Sequence, residues 1–418
     1  MKGFARRAPV AAAQRWVCQA AARLESEYVT LADALGRVLA EDPTATMDVP
    51  PFDRSAMDGF AVRSTDLAGA TGYDPVPLRV IGQSLPGQPT VPEVLPRTAV
   101  RIMTGAPLPK GADAVVPAEF ARQDDAGMVW IETAVPAGKH IGRRGEDVTR
   151  GTVLFRAGRR LLPQDLGVLA STGITRLRVV RQPRVRLLIT GNELAPAGHE
   201  RQKHQIHDAN GPMLHALARR DGARLDAVVH VPDDRQRLRR AIAAGCKDAD
   251  VLLISGGSSV GSEDYAPLLV AELGELPIHG VAIRPAAPTG IGRIGSTLVF
   301  LLPGNPVSCL CAYDFFAGPA IRALQGLPFR WPYRSRVLPL ARKIASALGR
   351  VDYCRVRIEA GRVFPLAVSG ASILTSTTRA DGFVVVPEDS EGFPPDTPVR
   401  VFLYQPEGIT DGDDHWIH

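Results

Sequence analysis

The sequence predicts a multidomain α/β and β protein built around a doubly wound parallel sheet. Three observations predict it. The 418 residues exceed what one ordinary hydrophobic core serves and imply roughly two to four domains. Between Arg184 and Gly326, apolar runs alternate with amphipathic segments, the pattern of a parallel sheet covered on both faces. On either side of this region, stretches rich in Gly, Pro and Val hold only short apolar runs, the pattern of small β domains.

In chain order, Val17, Ala20, Ala21 and Leu24 mark an N-terminal helix, and a second helix is expected over Leu31–Leu39, after which Asp42 to Pro51 breaks the pattern. From Phe52 to Ile141 the runs PLRVIG, TAVRIM, DAVVP and GMVWIE read as strands, followed by a Gly-rich return, GRRGEDVTRG. VRLLIT, DAVVHV, DVLLIS and TLVFLL then read as buried strands, and GPMLHALARR, DDRQRLRRAIAAG, YAPLLVAELG and VSCLCAYDFFAGPAIRAL as the helices between and after them. RVRIEA, FVVVPE and PVRVFLY form a closing β domain.

Composition excludes several classes. A content of 45% hydrophobic and 22% charged residues is that of a globular chain, and no apolar run is read as reaching the roughly 18 to 20 residues a membrane span requires. No secretory signal is visible, so a cytoplasmic location is expected. Five scattered cysteines do not form a disulfide framework. The net charge of +5 is spread along the chain and aromatic residues are only 6%, which favours a small anionic ligand over nucleic acid.

Ligands of open parallel sheets bind beyond the carboxyl ends of the strands. There the sequence places Thr190-Gly191-Asn192-Glu193, Ser255-Gly256-Gly257-Ser258-Ser259 and Pro303-Gly304-Asn305-Pro306. Gly and Ser at such ends, backed by helix N-termini, expose N–H groups and hydroxyls to an anion, phosphate being the natural guest. Glu193, Asp208, Asp233, Asp234 and Asp264 supply hard oxygens of the kind Mg²⁺ takes beside phosphate, although each alone also reads as a cap or a solvated charge. Gly257-Ser258-Ser259-Val260-Gly261 fits a hydrolase nucleophile elbow with Ser259 as nucleophile and Asp264 or Asp314 as acid. Only His279, His415 and His418 follow it, and no HGG segment precedes it, so the anion reading is preferred. His199, His204 and His207 lack a fourth zinc ligand at fixed spacing. Cys309 and Cys311, two apart in a helical pattern, read as packing.

Several of these segments resemble the MoeA family of molybdopterin molybdotransferases, which includes the gephyrin E domain. Pro51-Phe52-Asp53-Arg54-Ser55-Ala56-Met57-Asp58-Gly59-Phe60-Ala61-Val62, Arg101-Ile102-Met103-Thr104-Gly105-Ala106-Pro107 and Gly145-Glu146-Asp147 are similar to its P-x-F-D-x-S-A-M-D-G, R-I-M-T-G-A-P and G-E-D motifs. Ser255-Gly256-Gly257, Val260-Gly261, Asp264-Tyr265 and Pro303-Gly304-Asn305-Pro306-Val307-Ser308 resemble the family's S-G-G-x-S-x-G-x-x-D-Y and P-G-N-P-V-S. The resemblance implies four domains: a discontinuous linker domain with the N-terminal helices over 1–50 and 142–183, an inserted small β domain over 51–141, a molybdopterin-binding α/β domain over 184–328, and a C-terminal β-barrel-like domain over 329–418. It also implies an elongated homodimer that takes adenylated molybdopterin and molybdate with Mg²⁺ and releases AMP, with a molybdopterin adenylyltransferase or a recipient molybdoenzyme as partner.

Carried over by position, Asp58, Thr104, Asp147, Glu193 and Asp264 are expected to be catalytic, and Asp233 and Asp264 to hold the metal. Ser255, Gly256, Gly257, Ser259, Gly261, Arg284, Pro303, Gly304, Asn305, Pro306 and Ser308 are expected to bind the pterin substrate, with Arg355 and Ser376 as oxyanion contacts. Two positions depart from the family. Its K-P-G-K-P is Arg284-Pro285-Ala286-Ala287-Pro288, which keeps one positive charge, and the acidic residue of its T-G-D-E-L is Asn192. Loss of one charge-assisted contact costs about 1.5 to 3 kcal/mol. A paralogue acting as cofactor carrier or partner scaffold is therefore the competing expectation. The CinA-like proteins, which share the pterin-binding domain, lack the first-half motifs.

Overall fold

The computed structural model describes residues 7–88, 92–257, 265–367 and 370–405. Two compact units divide the chain, one of residues 1–27 with 180–418 and one of residues 28–179.

The first unit holds a six-stranded sheet made of β1 (Arg184–Thr190), β2 (Arg224–Val231), β3 (Val251–Ser255), β4 (Glu275–His279), β5 (Gly290–Ile294) and β6 (Thr297–Leu302), in the order β2-β1-β3-β6-β5-β4. The first four run parallel, and β5 and β4 extend that edge antiparallel. Adjacent residues of a strand point to opposite faces. Leu187, Ile189, Leu253, Phe300 and Leu302 accordingly enter one core with the helices Asn210–Arg220 and Pro306–Leu324. Leu188, Leu252, Ile254, Val299 and Leu301 enter a second core with Arg235–Gly245 and Ala266–Leu273. Both faces being apolar is what makes the strands read as continuous hydrophobic runs.

Contrary to the expectation that no apolar run is long enough, the helix Pro306–Leu324 has 19 residues and is apolar enough to cross a membrane by length and composition; 94% of its most apolar window is buried inside this unit, as in a core helix. The N-terminal helix Val10–Ala20 packs on the same core through Val10, Ala13 and Val17.

The same unit ends in a second sheet, ordered Ile283–Arg284, Val351–Glu359, Gly382–Val386, Pro398–Leu403 and Ser335–Pro339, with Arg362–Ala367 paired to Val351–Glu359. A parallel bridge between Leu340 and Val363 joins its far strand back to that pair around Val356, Val384 and Val401.

In the unit of residues 28–179, the four apolar runs after Phe52 form strands. They lie in a six-stranded sheet ordered Ala114–Pro117, Gly59–Val62, Thr98–Ile102, Val76–Ser84, Met128–Ile131 and Ala121–Gln123. The helix expected over Leu31–Leu39 does not form. Leu31–Asp33 is a single 3-10 turn, Gly36 turns the chain at φ +74°, and the N–H groups of Gly36 and Leu39 donate to Leu161 O and Arg159 O. Leu35 is exposed. Pairing with a segment far along the chain overrides the local pattern.

Candidate functional site

Within the sheet of the first unit, Ser255 is in register with Ile189 on one side and Leu302 on the other. The loops after β1, β3 and β6 therefore leave side by side, as their spacing predicts. They border a cleft of about 460 Å³ lined by Thr190, Glu193, His207, Asp208, Asn210, Ser255, Gly256, Gly257, Gly304, Asn305 and Pro306, with Ser372 from the last domain. Gly256 has φ +95°, and a Cβ there would lie 2.1 Å from Thr190 O, so only glycine lets the two loops approach this closely. The helices Asn210–Arg220 and Pro306–Leu324 begin at this cleft, and their positive dipole ends suit an anion, while the N–H groups of Gly211 and Val307 are already donated to Asp208 Oδ1 and Ala371 O.

Hydrogen bonds hold the rim, some buried and some exposed. Asn210 Nδ2 donates to Gly304 O at 2.7 Å and to Ser255 Oγ at 2.9 Å. Asp208 Oδ1 accepts from Gly211 N–H at 2.9 Å, and its Oδ2 lies 3.0 Å from His230 Nε2. Asp233 accepts from the Thr190 hydroxyl at 2.7 Å and from Asn192 N–H at 2.9 Å, while Asn192 Oδ1 accepts from Asp233 N–H at 3.2 Å. Asp233 thus spends both carboxylate oxygens on the β1 loop, and among the described residues no cluster of three metal-ligating side chains occurs.

The remaining sequence-predicted residues fall in different places. Ser259, Gly261 and Asp264 lie outside the described residues. Pro303 and Ser308 are buried behind the rim. Arg284 pairs with Asp352, whose other oxygen faces Arg350 Nε at 3.2 Å. Arg355, for which the resemblance implies an oxyanion contact, is completely buried. Ser376 donates its hydroxyl to Ile373 O at 2.6 Å, and Ser372, not Ser376, reaches the cleft. Ala286 adopts φ +93°, a conformation that the glycine of the family motif accommodates without strain. Cys309 and Cys311 are buried packing residues, and burial pushes the Cys309 thiol up to about 12.

The second unit carries its own constellation. Asp58 Oδ1 accepts from the N–H of Thr104 at 2.6 Å and from its hydroxyl at 2.7 Å, beside a cavity of about 340 Å³ that includes Arg101 and Met103. The Thr104 hydroxyl, with the N–H second, holds the Asp58 carboxyl below the usual carboxylate range. Asp147 is exposed, on a loop fixed by Asp53, which accepts from Arg143 at 2.8 Å and from Arg144 N–H at 2.8 Å. Sequence reasoning missed Asn210, Ser372 and His230. The first was legible as a polar residue at the start of an amphipathic helix, but the other two are brought to the rim only by the fold.

Comparison with known proteins gives a coherent result. The chain matches the MoeA N-terminal region (domain I and II) over residues 8–173, a probable molybdopterin binding domain over 186–323, and the MoeA C-terminal region (domain IV) over 337–404. It is 37% identical over 373 residues to molybdopterin molybdenumtransferase 2 of Mycobacterium tuberculosis, covering 86% of this chain and 91% of that one. With the molybdopterin molybdenumtransferase of Bacillus subtilis it shares 33% identity over 407 residues, covering 96% and 94%. A solved molybdopterin biosynthesis MoeA protein from Pyrococcus horikosii aligns with TM-score 0.81 and 33% identity over 96% of this chain and 100% of its own.

Proposed function

We infer function from one premise: this chain belongs to the MoeA family, whose domain models and relatives span nearly its whole length. It is a transferase of molybdenum cofactor biosynthesis, with molybdopterin and molybdate as substrates. In finer terms, we propose that it takes adenylated molybdopterin, transfers molybdenum to it and releases AMP, acting as a homodimer in the cytoplasm.

The observation that carries this reading is the cleft where three strand-end loops and two helix N-termini converge. Gly256, Gly257 and Gly304 offer backbone there without side-chain bulk, and Ser255 adds a hydroxyl, a setting for phosphate oxygens. In this reading the Asp58 carboxylate, held by Thr104, is of the kind that orients an attacking oxygen while a phosphoanhydride bond breaks.

The residues present fit Mg²⁺ in part. Glu193 lines the cleft and would give the ion a carboxylate, as Mg²⁺ takes one or two of these when substrate phosphates complete its shell. Asp233, its oxygens engaged by Thr190 and Asn192, shapes the loop instead. When bound, the ion supplies charge neutralisation on phosphate oxygens.

The experiment is to incubate the full chain with adenylated molybdopterin, withholding molybdate and Mg²⁺ in turn, and to follow AMP. Release that needs both is the expected result. Tight pterin binding with no AMP release under any condition contradicts the enzyme reading and favours a carrier.

A further inference from the structure

Two rim loops meet on one buried side chain. Asn210 is 6% exposed, and its Nδ2 reaches both Gly304 O and Ser255 Oγ. A carbonyl oxygen can only accept, so the Gly304 contact decides which end of the amide faces the rim. The orientation is imposed strongly enough that Asn210 Oδ1 stays buried with no hydrogen-bond partner among the described residues. The amide nitrogen then has only a proton to offer Ser255, whose oxygen must accept it. The Ser255 proton is left to seek another acceptor. Among the described residues its remaining hydrogen-bond neighbour is Cys309 Sγ, 3.8 Å away, and a buried thiol is a weak acceptor. The other direction open to it is the cleft that Ser255 lines.

We propose that Asn210 is a positioning residue: it fixes the Ser255 hydroxyl as a hydrogen-bond donor to the phosphate group held in the cleft, and ties the β3 and β6 loops together while doing so. The proposal rests on the reading of that cleft as the phosphate site. A preset donor meets the anion without reorganising, whereas a freely rotating hydroxyl must be ordered on binding.

The test uses the full chain, AMP as probe, and the variants Asn210→Asp, Ser255→Ala and their double. In Asn210→Asp a carboxylate accepts where the amide donated, so Ser255 turns its proton inward. Each single variant is expected to bind AMP about tenfold more weakly, as loss of one hydrogen bond to a charged group implies. The double variant should be no weaker than the weaker single, because both remove the same contact. Asn210→Leu, which removes the donor without adding charge, should show the same coupling and takes the place of Asn210→Asp if that protein does not fold.

Kinetically, Asn210→Asp should raise KM for adenylated molybdopterin about tenfold and leave kcat within about twofold. Additive losses in the cycle, or a fall in kcat at unchanged KM, overturn the positioning role and leave the phosphate site standing. Wild-type protein that fails to bind AMP overturns the phosphate site and the proposal together.

Discussion

Asp58 and Thr104, 46 residues apart, are joined by two hydrogen bonds to a single carboxylate oxygen, one from the backbone and one from the hydroxyl of the same threonine. Both stabilise the charged form of Asp58 and hold its pKa below the usual range. Thr104→Val keeps the N–H and removes the hydroxyl. The carboxylate should then be lost at a higher pH, so the acid limb of the pH–rate profile for AMP release moves upward relative to wild type. An unmoved limb would mean that Asp58 is not the group titrating. Asp58→Ala should lower kcat by about a hundredfold or more.

Ala286 sits at φ +93°, where an L side chain is strained. Ala286→Gly should stabilise the fold by about 1 kcal/mol, measured by denaturant midpoint at unchanged slope. Destabilisation would show that the Ala286 methyl, which is buried, contributes more to packing than the backbone loses.

Ala287 stands where the family motif has a second lysine, and the charge of neighbouring Arg284 is already matched to Asp352. Ala287→Lys should lower KM for molybdate by about tenfold, since a charge-assisted contact to an oxyanion is restored. No change would place molybdate away from this segment.

At Gly256 a Cβ would overlap Thr190 O. Gly256→Ala should therefore cost about 2 kcal/mol or more of stability and weaken AMP binding together, read by thermal melting and calorimetry. A variant with normal stability and normal binding would contradict the close approach of the β1 and β3 loops.

Burial pushes the Asp314 carboxyl up to about 7, against the opposing pull of Arg220 and the Tyr333 hydroxyl. A raised folded pKa means that the folded state binds more protons than the unfolded one between about 4 and 7. This contribution is complete below the ordinary carboxylate pKa and is lost as pH rises through 7. Asp314→Asn should remove that pH dependence, so its stability relative to wild type improves from pH 4 to pH 7; parallel stability–pH curves would contradict the assignment.

Much of the fold is written locally. The parallel strands are continuous apolar runs because each face meets its own helices, and the rim glycines follow directly from strand ends. The antiparallel edge was harder to read, since ELPIH and GIGRI are short, partly exposed or glycine-rich. Leu31–Leu39 carried a helical spacing that lost to pairing with residues 159–161. The motifs located the Asp58–Thr104 pair, but motif position did not disclose that Asp352 neutralises Arg284 from 68 residues away or that Arg355 is buried in its strand. Those facts depend on long-range pairing, to which neither spacing nor composition is sensitive.

The most direct test of molybdenum transfer is to quantify, by mass spectrometry, molybdenum bound to the pterin product alongside AMP in the same reaction. The account predicts that both appear together in equal amounts and that both disappear with Asp58→Ala. AMP released without molybdenum entering the pterin would contradict it, leaving the chain a hydrolase of the adenylated pterin.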